Sequence, residues 1–485
     1  MFIIFIIPDG LNSSGLLTWA LNHYKKSSNI RLVFLNLNSL PLNFSPNNDH
    51  FLNIRNSSSH KITYVANKIL DFIYRNSFKE TILVPLCGDT SFAVSNFVSN
   101  AINTHHLGFK TRIIAPVLGD QKNPYKLLVH YEKSISKFFG NSNHIYKKIK
   151  ELLPHRQKDV FLWEPFINNP TNRIKKLHTS KLKIISVGRL DETTKCISRI
   201  PIIIKYLIKF NISFDFYIYG NGPDKDSILK NLKELKITND STIEYLGEVN
   251  NSEIHSIMND KDIFVLTSKT EGLPYTLLES MSQAVCPIVM SIESGVNQVI
   301  KDGYNGFITD QGDCLSFAST IKELNYNRTL LGEICRNAQY SITQAFNYKK
   351  SFKQYTIPFK NALSNEPPSF EIIPYIYQKQ IDYIVTCVSQ IKSPYAIYGL
   401  GMFGRKLTDQ LIDSNFTPDQ IIDKTASTSF KSYRNIKVVS HINQLSPHIN
   451  HVILGTIDFS DEIISIIKKF EETRNTLTIN IISSR

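Results

Sequence analysis

The sequence contains few cysteines for its length and no paired-cysteine motif. Six cysteines lie scattered along 485 residues, without C-x-x-C pairs and without the spacing of a zinc site. We therefore expect neither a disulfide framework nor a zinc finger. Unpaired cysteines are typical of a reducing compartment, which favours a cytoplasmic location.

Long hydrophobic runs are also missing. The apolar start, Phe2–Ile7, ends at Pro8 and has no basic residues before it. A membrane span needs about 20 apolar residues, and a secretory signal begins with a basic region. We expect this segment to be the first buried strand of a cytoplasmic protein.

Acidic residues are fewer than basic ones, which gives a net charge of +13. No zinc finger, RNA-binding sheet motif or arginine-rich arm accompanies this charge, so we expect no nucleic-acid partner. Peripheral contact with anionic lipid at the inner face of the cell membrane is another explanation. Residues Tyr146–Lys158, where basic and apolar side chains alternate, suit it best, although an ordinary solvated helix explains them equally well.

The strongest functional pattern lies in residues 262–290. An apolar run, Ile263–Leu266, predicts a buried strand, and Pro274 suits the first turn of a following helix. Glu271 would then lie at the carboxyl end of the strand and Glu279 within the helix. In open parallel sheets ligands bind at this edge, where helix N–H groups hold anions and carboxylates accept hydroxyl hydrogen bonds. A ligand with sugar hydroxyls and phosphates fits this arrangement.

The two glutamates stand within T-E-G-L-P-Y-T-L-L-E-S-M. This segment resembles the signature of retaining glycosyltransferases of the GT-B fold, family 4 (glycosyl transferases group 1). The resemblance implies a nucleoside-diphosphate sugar donor, with Glu271 near the transferred sugar and Glu279 on the donor ribose. It places the neighbouring Gly272, Leu273 and Pro274 against the donor as well.

Two upstream residues match the family's phosphate clamp. The strand of residues 183–187 leads into Gly188, Arg189 and Leu190, and Lys195 follows. The resemblance gives Arg189 and Lys195 the donor diphosphate, with Gly188 allowing close approach of the backbone. A physical argument that does not need the resemblance supports the same roles. The leaving diphosphate gains negative charge as the glycosidic bond breaks, so fixed cations beside it lower the barrier to the reaction.

Further matches surround this clamp. Gly220 begins a Gly-Asn-Gly-Pro turn that the family places at the floor of the site, although a simple structural turn explains it equally well. Main-chain groups near Val249 would contact the nucleotide base. The family usually has Pro-Glu where Asn297 and Gln298 stand, which leaves the role of that loop open.

Residues 1–170 alternate strand-like and helical segments, which predicts a doubly wound α/β domain. The resemblance makes it the acceptor-binding domain, with Gly10 and Gly15 in an acceptor-side loop. Leu118 stands where the family has a histidine near the reacting sugar, while Asp120 is retained two residues later.

The expected fold is therefore α/β of the GT-B type, with two Rossmann-like domains and a small third one. Residues 180–344 would bind the donor, and a crossing helix at about 345–364 would complete the first domain. Two D-x-D triplets, at 224–226 and 260–262, are predicted to be incidental. The resemblance implies a donor that needs no metal and no further cofactor.

Residues 370–485 predict the third, Rossmann-like accessory domain. A strand ends at Gly399 and continues into G-x-G-x-x-G with Gly401 and Gly404. Asp423 follows at the end of the next strand, where a ribose-binding acid would lie. Nucleotide binding and a scaffold or partner-docking role remain alternatives for this unit.

The resemblance thus implies a hexosyltransferase that uses a UDP- or GDP-sugar. Its acceptor would be a glycan or lipid-linked glycan of a bacterial surface polysaccharide, such as O-antigen, capsule or lipopolysaccharide. Two alternatives remain: a catalytically silent homologue that binds nucleotide sugar or docks a partner, and a bifunctional enzyme with a sugar-modifying last domain.

Overall fold

The structure, a computed structural model, covers the chain with several gaps. It describes residues 1–8, 15–35, 51–53, 62–105, 108–167, 181–237, 240–250, 253–365, 375–391, 393–399, 402–423, 432–449, 451–454, 466–468 and 480–482. Two compact units emerge, the first formed by residues 1–56 and 65–370 and the second mainly by residues 371–485.

The first unit begins with a seven-stranded parallel sheet whose strand order is β3-β2-β1-β4-β5-β6-β7. Its strands are β1 (Phe2–Ile7), β2 (Ile30–Phe34), β3 (Phe51–Asn53), β4 (Glu80–Pro85), β5 (Lys110–Val117), β6 (Ile135–Gly140) and β7 (Val160–Leu162). The connecting helices are α1 (Gly15–Lys26), α2 (Ile62–Arg75), α3 (Asp89–His105), α4 (Lys122–His130) and α5 (Asn143–Leu152). The central strands are almost wholly apolar because helices cover both faces of a parallel sheet.

A second parallel sheet, of six strands in the order β10-β9-β8-β11-β12-β13, follows in the same unit. It consists of β8 (Leu182–Val187), β9 (Phe214–Tyr219), β10 (Thr242–Tyr245), β11 (Ile263–Leu266), β12 (Cys286–Met290) and β13 (Phe307–Thr309). Its helices are α6 (Arg199–Lys209), α7 (Lys225–Lys233), α8 (Ile254–Asn259), α9 (Tyr275–Ser282), α10 (Val296–Val299), α11 (Cys314–Tyr326) and α12 (Arg328–Ala345). Residues 1–167 are called the first-sheet half below, and residues 181–346 the second-sheet half.

A long helix, α13 (Tyr348–Ser364), returns from the second-sheet half to the first sheet. The Arg112 guanidinium, on β5, donates a hydrogen bond from Nε to the carbonyl oxygen of Ala362 at 3.1 Å. One apolar core includes residues of both sheets, with Phe5 and Phe139 from the first, Phe264 from the second and Phe359 from α13. The helix α13 therefore packs against the first sheet.

The second unit contains a six-stranded sheet in the order β16-β17-β15-β14-β18-β19. Its elements are α14 (Tyr375–Val388), β14 (Tyr395–Tyr398), α15 (Met402–Asp413), β15 (Gln420–Ile422), β16 (Ser432–Tyr433), β17 (Ile436–Val439), β18 (His451–Leu454) and β19 (Asn480–Ile482). The pairing is parallel except between β16 and β17. The sequence also predicts a helix over residues 461–470 in this unit, and of these the structure describes residues 466–468.

Two details differ from the sequence-based expectations. Pro274 occupies the position before α9 rather than its first turn, with φ −67° and ψ 120°. The basic segment Tyr146–Lys158 is not one helix, since α5 ends at Leu152 and a short 3-10 helix covers Pro154–Asp159. None of the helices in the described ranges has both the length and the hydropathy of a bilayer-spanning segment.

Candidate functional site

A cavity of about 480 Å³ lies between the two halves of the first unit. In the first sheet the strand order reverses direction at β1 and β4, and in the second sheet at β8 and β11. Ligands of open parallel sheets bind at the carboxyl ends of strands beside such a switch point. The cavity is lined by Leu86 directly after β4, by Gly188 directly after β8, and by Glu271 in the loop that follows β11. The topology of both sheets therefore converges on one site.

The second-sheet half contributes the charged side chains of this cavity. Lys195, Glu271 and Arg189 all line it. The ammonium of Lys195 lies 2.5 Å from Oε1 of Glu271, and the hydroxyl of Ser268 donates to the same oxygen at 2.7 Å. The guanidinium of Arg189 is exposed, with its Nε 3.9 Å from a carboxylate oxygen of Asp191. An anion entering the cavity therefore meets one anchored and one exposed cation.

Two glycines shape the floor behind these cations. Gly220 has a φ of +138°, and a Cβ there would lie 1.8 Å from the carbonyl oxygen of Gly188. A side chain at residue 220 is therefore excluded both by conformation and by space. Gly188 itself lies against the Lys195 side chain, since its Cβ would be 3.8 Å from Cε. Gly188 lines the cavity, whereas Gly220 does not line it but packs against the backbone of Gly188.

The loop from Glu271 to α9 forms the next part of the wall. Gly272, Leu273 and Pro274 all line the cavity, as does Thr276 in the first turn of α9. The free N–H groups of a helix start favour anions. Val249 packs instead against the apolar core that includes residues of both sheets, and it does not line the cavity. Its predicted contact with the nucleotide base therefore stays a prediction.

Glu279 lies deeper, on α9, and is only 5% exposed. Burial raises the pKa of its carboxyl group from the usual 4.5 to about 8. No residue in the described ranges donates a hydrogen bond to this carboxylate in the structure. A buried carboxyl group without donors is costly in its charged form, and ligand hydroxyls would supply the missing donors.

The opposite wall comes from the first-sheet half and carries no charged side chain among the described residues that line the cavity. They are Gly15, Leu16, Trp19, Leu86, Cys87, Gly88, Phe92, Pro116, Leu118, Gly119, Gln121, Asn123, Pro124, Leu127 and Asn141. Of the predicted acceptor-side residues, Gly15 lies in this wall and Gly10 falls outside the described residues. Burial raises the pKa of the Cys87 thiol to about 11, so this thiol stays protonated.

Asp120 does not line the cavity but anchors the chain beside it. Its carboxylate accepts hydrogen bonds from the Tyr125 hydroxyl at 2.6 Å and from the Lys148 ammonium at 2.8 Å, and it lies 3.1 Å from His144 Nε2. Burial alone would raise the pKa of Asp120, but these hydrogen bonds outweigh burial and hold the pKa below its usual value. Asp120 is thus a charged anchor between α4 and α5.

Gln298, at the point where the sequence departs from the family, lies in the short helix α10 rather than in a loop, and it bridges the two halves. Its Oε1 accepts a hydrogen bond from the backbone N–H of Asn143 at 2.7 Å. Its Nε2 donates to Oε1 of Glu164 at 2.9 Å, and the other oxygen of Glu164 lies 2.7 Å from the Lys350 ammonium. An amide suits this position because it both accepts and donates.

The two D-x-D triplets have structural roles. Asp224 precedes α7 and accepts from the backbone N–H of Glu192 at 2.8 Å. Asp262 is buried and accepts from the backbone N–H of Lys183 at 2.9 Å. In the part of the chain that the structure describes, no group of three or more His, Cys, Asp or Glu side chains is arranged to hold a metal ion.

The glycine motif of the second unit is described only in part. Gly399 ends β14 with a φ of +100°, and Asp423 follows β15, where its N–H donates to the carbonyl oxygen of Val439 at 2.9 Å. Gly404 lies in α15, and Gly401 is outside the described residues. Nucleotide binding by this unit stays a prediction.

Trp19 and Asn141 line the cavity without having been predicted to do so. Trp19 follows Gly15 by one helical turn on α1, so the two residues share a face. Asn141 comes directly after β6. The four-residue spacing from Gly15 could have predicted that Trp19 lines the cavity, whereas no sequence pattern pointed to Asn141.

Part of the chain matches a known protein family. Residues 168–340 match the model of the family described as glycosyl transferases group 1. An alpha-1,3-galactosyltransferase of Escherichia coli, named for UDP-Gal and alpha-D-GlcNAc-diphosphoundecaprenol, is 27% identical over 146 residues, 28% of this chain and 37% of that protein. An alpha-1,4-N-acetyl-D-galactosaminyltransferase of Campylobacter jejuni, named for a diphosphoundecaprenol-linked acceptor, is 25% identical over 156 residues, 32% of this chain and 42% of that protein. The chain spans less than half of the length of either relative.

The overall architecture also matches solved structures. Anabaena HepE, whose structure was determined in complex with UDP, superposes with a TM-score of 0.58 at 13% identity. The match covers 74% of this chain and all of HepE. The fold of the matched part is therefore GT-B.

Proposed function

We propose that this chain, whose residues 168–340 match the model of the glycosyl transferases group 1 family, transfers a sugar from a nucleoside-diphosphate donor to a glycan acceptor with retention of anomeric configuration. The observation that carries the proposal is the difference in charge between the two walls of the cavity. One wall holds Arg189, Lys195 and Glu271, and no described residue that lines the other wall is charged. A donor with an anionic diphosphate and a neutral sugar matches the two walls.

In this proposal the diphosphate lies against Lys195, Arg189 and the start of α9. The bond between the sugar and the diphosphate breaks, and the leaving diphosphate gains negative charge. Lys195 is already held at the cavity wall by Glu271, 2.5 Å away, so little reorganisation is needed when that charge develops. Preorganised charges of this kind supply the largest share of many enzymatic rate enhancements.

Glu279 is proposed to bind the ribose hydroxyls of the donor. Its burial and its lack of donors in the described part of the chain support this role. Hydroxyl donors would favour the charged form of the carboxyl group and so lower its pKa. Glu271, on the cavity surface, is proposed to lie near the transferred sugar.

The acceptor is proposed to be a glycan, free or linked to a lipid diphosphate, in the synthesis of bacterial surface polysaccharide. The names of the two curated relatives, which specify diphosphoundecaprenol-linked acceptors, support this part of the proposal. The UDP in the HepE structure and the UDP-Gal in the name of the E. coli relative support a uridine nucleotide as the donor.

A lipid-linked acceptor would bring the protein to a membrane, and α13 offers a suitable surface. This helix has no acidic residue. Its exposed face carries Phe352, 41% exposed, and Ile357, 65% exposed, beside Lys349, Lys353 and Lys360. Basic and apolar residues on one helix face favour anionic lipid. In Tyr146–Lys158, by contrast, Ile149 is buried in the core.

Flotation with vesicles tests the membrane surface. The wild type should bind vesicles containing anionic lipid and release them at high salt, and a Lys349→Glu, Lys353→Glu double variant should bind less. Equal binding of both proteins would exclude α13 as the contact.

A thermal-shift panel tests the donor. A ligand that binds only the folded state raises the melting temperature by mass action. UDP, GDP and their common hexose and N-acetylhexosamine derivatives should include at least one that stabilises the protein. No stabilisation by any of them would reject the proposed function.

A second function, nucleotide-sugar binding without transfer, is favoured by one observation. Leu118 lines the cavity where the family has a histidine near the reacting sugar. Hydrolysis of the bound donor in the absence of acceptor distinguishes the two: an active transferase releases free sugar slowly, whereas a binding subunit releases none.

A further inference from the structure

Two residues of the uncharged wall of the cavity each contain a buried polar atom that lacks a hydrogen-bond partner. Nε1 of Trp19 and Oδ1 of Asn141 are both buried, and no described residue bonds to either. Trp19 is 2% exposed and Asn141 is 6% exposed. Both residues line the cavity.

The orientation of the Asn141 amide is fixed by its neighbour. Its Nδ2 donates a hydrogen bond to the carbonyl oxygen of Leu118 at 3.2 Å. Since a carbonyl oxygen only accepts, the NH₂ group must face Leu118, and Oδ1 is the atom left without a donor. The wall thus presents one unused acceptor.

Trp19 presents one unused donor, and the other tryptophan of the chain gives the contrast. The indole N–H of Trp163 lies 3.0 Å from His23 Nε2 and 3.2 Å from the Ser351 hydroxyl. The two indole rings pack edge to face, with centroids 4.5 Å apart. Within one aromatic cluster, only the tryptophan beside the cavity keeps an unpaired N–H.

Buried polar groups in folded proteins are almost always paired, because an unpaired group loses its hydrogen bonds to water without replacement. A hydroxyl group both donates and accepts, so it matches an indole N–H together with an amide oxygen. A carboxylate or phosphate does not fit, because it offers no proton to Asn141 and meets no cation on this wall.

We propose that Trp19 and Asn141 form a subsite for a hydroxyl group of a neutral sugar. This inference rests on the proposed function and specifies its substrate: the sugar at this wall carries no carboxylate. The hydroxyl belongs either to the acceptor or to the transferred sugar, and the two sources are separated by the probes below.

Nuclear magnetic resonance of the full chain tests the subsite directly. The protein has two tryptophans, so ¹⁵N labelling of tryptophan gives two indole N–H signals, and a Trp163→Phe variant assigns them. The protein is first saturated with UDP or GDP, whichever binds. It is then titrated with the methyl glycosides of glucose, galactose, N-acetylglucosamine and glucuronic acid. In a separate arm it receives UDP-glucose and GDP-mannose without glycoside.

The Trp19 signal should shift with a neutral glycoside or with a sugar nucleotide, while the Trp163 signal stays. A shift with glycosides assigns the hydroxyl to the acceptor, and a shift only with sugar nucleotides assigns it to the transferred sugar. An unchanged Trp19 signal in a protein that binds the nucleoside diphosphate overturns the subsite and leaves the proposed function intact. An equal response to the glucuronide overturns the requirement for a neutral sugar. Failure to bind any nucleoside diphosphate rejects the proposed function and the inference with it.

A pair of matched variants gives a second readout. Trp19→Phe and Trp163→Phe remove the same number of atoms from one cluster, but only the second breaks a hydrogen bond. Trp163→Phe should therefore lower the melting temperature more, whereas Trp19→Phe should raise the KM or Kd of the sugar ligand by roughly tenfold. Nucleoside diphosphate affinity should stay unchanged in both. An equal sugar affinity in Trp19→Phe and Trp163→Phe contradicts the subsite.

Discussion

The carbonyl oxygen of Leu118 lies so close to Gly272 that a Cβ at residue 272 would stand 2.3 Å from it. The two residues belong to different halves of the first unit, and both line the cavity. The side chain of Ile145 adds a second near contact, at 3.1 Å from the same Cβ position. The close approach of the two walls thus depends on a missing side chain.

Gly272→Ala should therefore separate the two halves slightly and destabilise the protein by about 1–3 kcal/mol, the range seen for overpacking. Thermal unfolding measures this loss. Gly15→Ala is the control, because its Cβ would meet Tyr275 at an ordinary 3.5 Å and alanine favours helices. If both variants melt at the same temperature, the contact with Leu118 is not tight in solution.

Gln298→Glu should also destabilise the protein, by about 1–3 kcal/mol. Glutamate keeps an acceptor for the Asn143 N–H but places a second carboxylate beside Glu164, where Gln298 now donates at 2.9 Å. Gln344→Glu, on the exposed side of α12, introduces the same charge change elsewhere. The melting temperatures of the two variants are compared. An equal decrease in both would mean that the hydrogen bonds of Gln298 between the halves do not stabilise the protein.

The two glutamates of the motif should respond differently to a nearly isosteric change. Glu279→Gln should weaken binding of the free nucleoside diphosphate about tenfold, because a charged acceptor for the ribose is lost. Glu271→Gln should leave that affinity nearly unchanged and lower kcat by roughly two orders of magnitude. Calorimetric titration and steady-state kinetics measure both. The reverse result would exchange the two roles.

The raised pKa of Glu279 gives a prediction about pH. Because burial lifts this pKa from 4.5 to about 8, the folded protein holds a proton that the unfolded chain releases at lower pH. The resulting stabilisation is complete below the unfolded pKa and is lost as pH rises through about 8. Glutamine does not titrate, so the unfolding free energy of Glu279→Gln should fall less steeply between about pH 5 and pH 8. Denaturant titrations of both proteins across this range check the difference, and identical slopes would show that Glu279 is not buried as described.

The strands of the site could be predicted because buried parallel strands are continuous apolar runs. Ile263–Leu266 has the same bounds in the structure as in the prediction, and the carboxyl ends of the strands follow from their direction. The sequence predicted that Lys195 and Glu271 lie in the same site, but it did not predict their direct contact, because the two residues are far apart in the chain.

Features that depend on contacts between residues far apart in the chain could not be predicted. The role of Gln298 follows from Asn143 and Glu164, both on the other half. The unpaired Oδ1 of Asn141 follows from the orientation imposed by the Leu118 carbonyl. Each depends on partners that are distant in the chain, so no local sequence pattern predicts it.

The most direct test of the proposed donor site is calorimetric titration of the wild type, Lys195→Ala and Arg189→Ala with UDP and GDP. The wild type should bind one of the two nucleotides, and both variants should bind it roughly 10- to 100-fold more weakly, because each loses a charge-assisted contact with the diphosphate. Lys205→Ala, an exposed lysine of α6, should bind as the wild type does. Equal nucleotide affinity in all four proteins, or no binding to the wild type, would contradict a diphosphate held by Lys195 and Arg189.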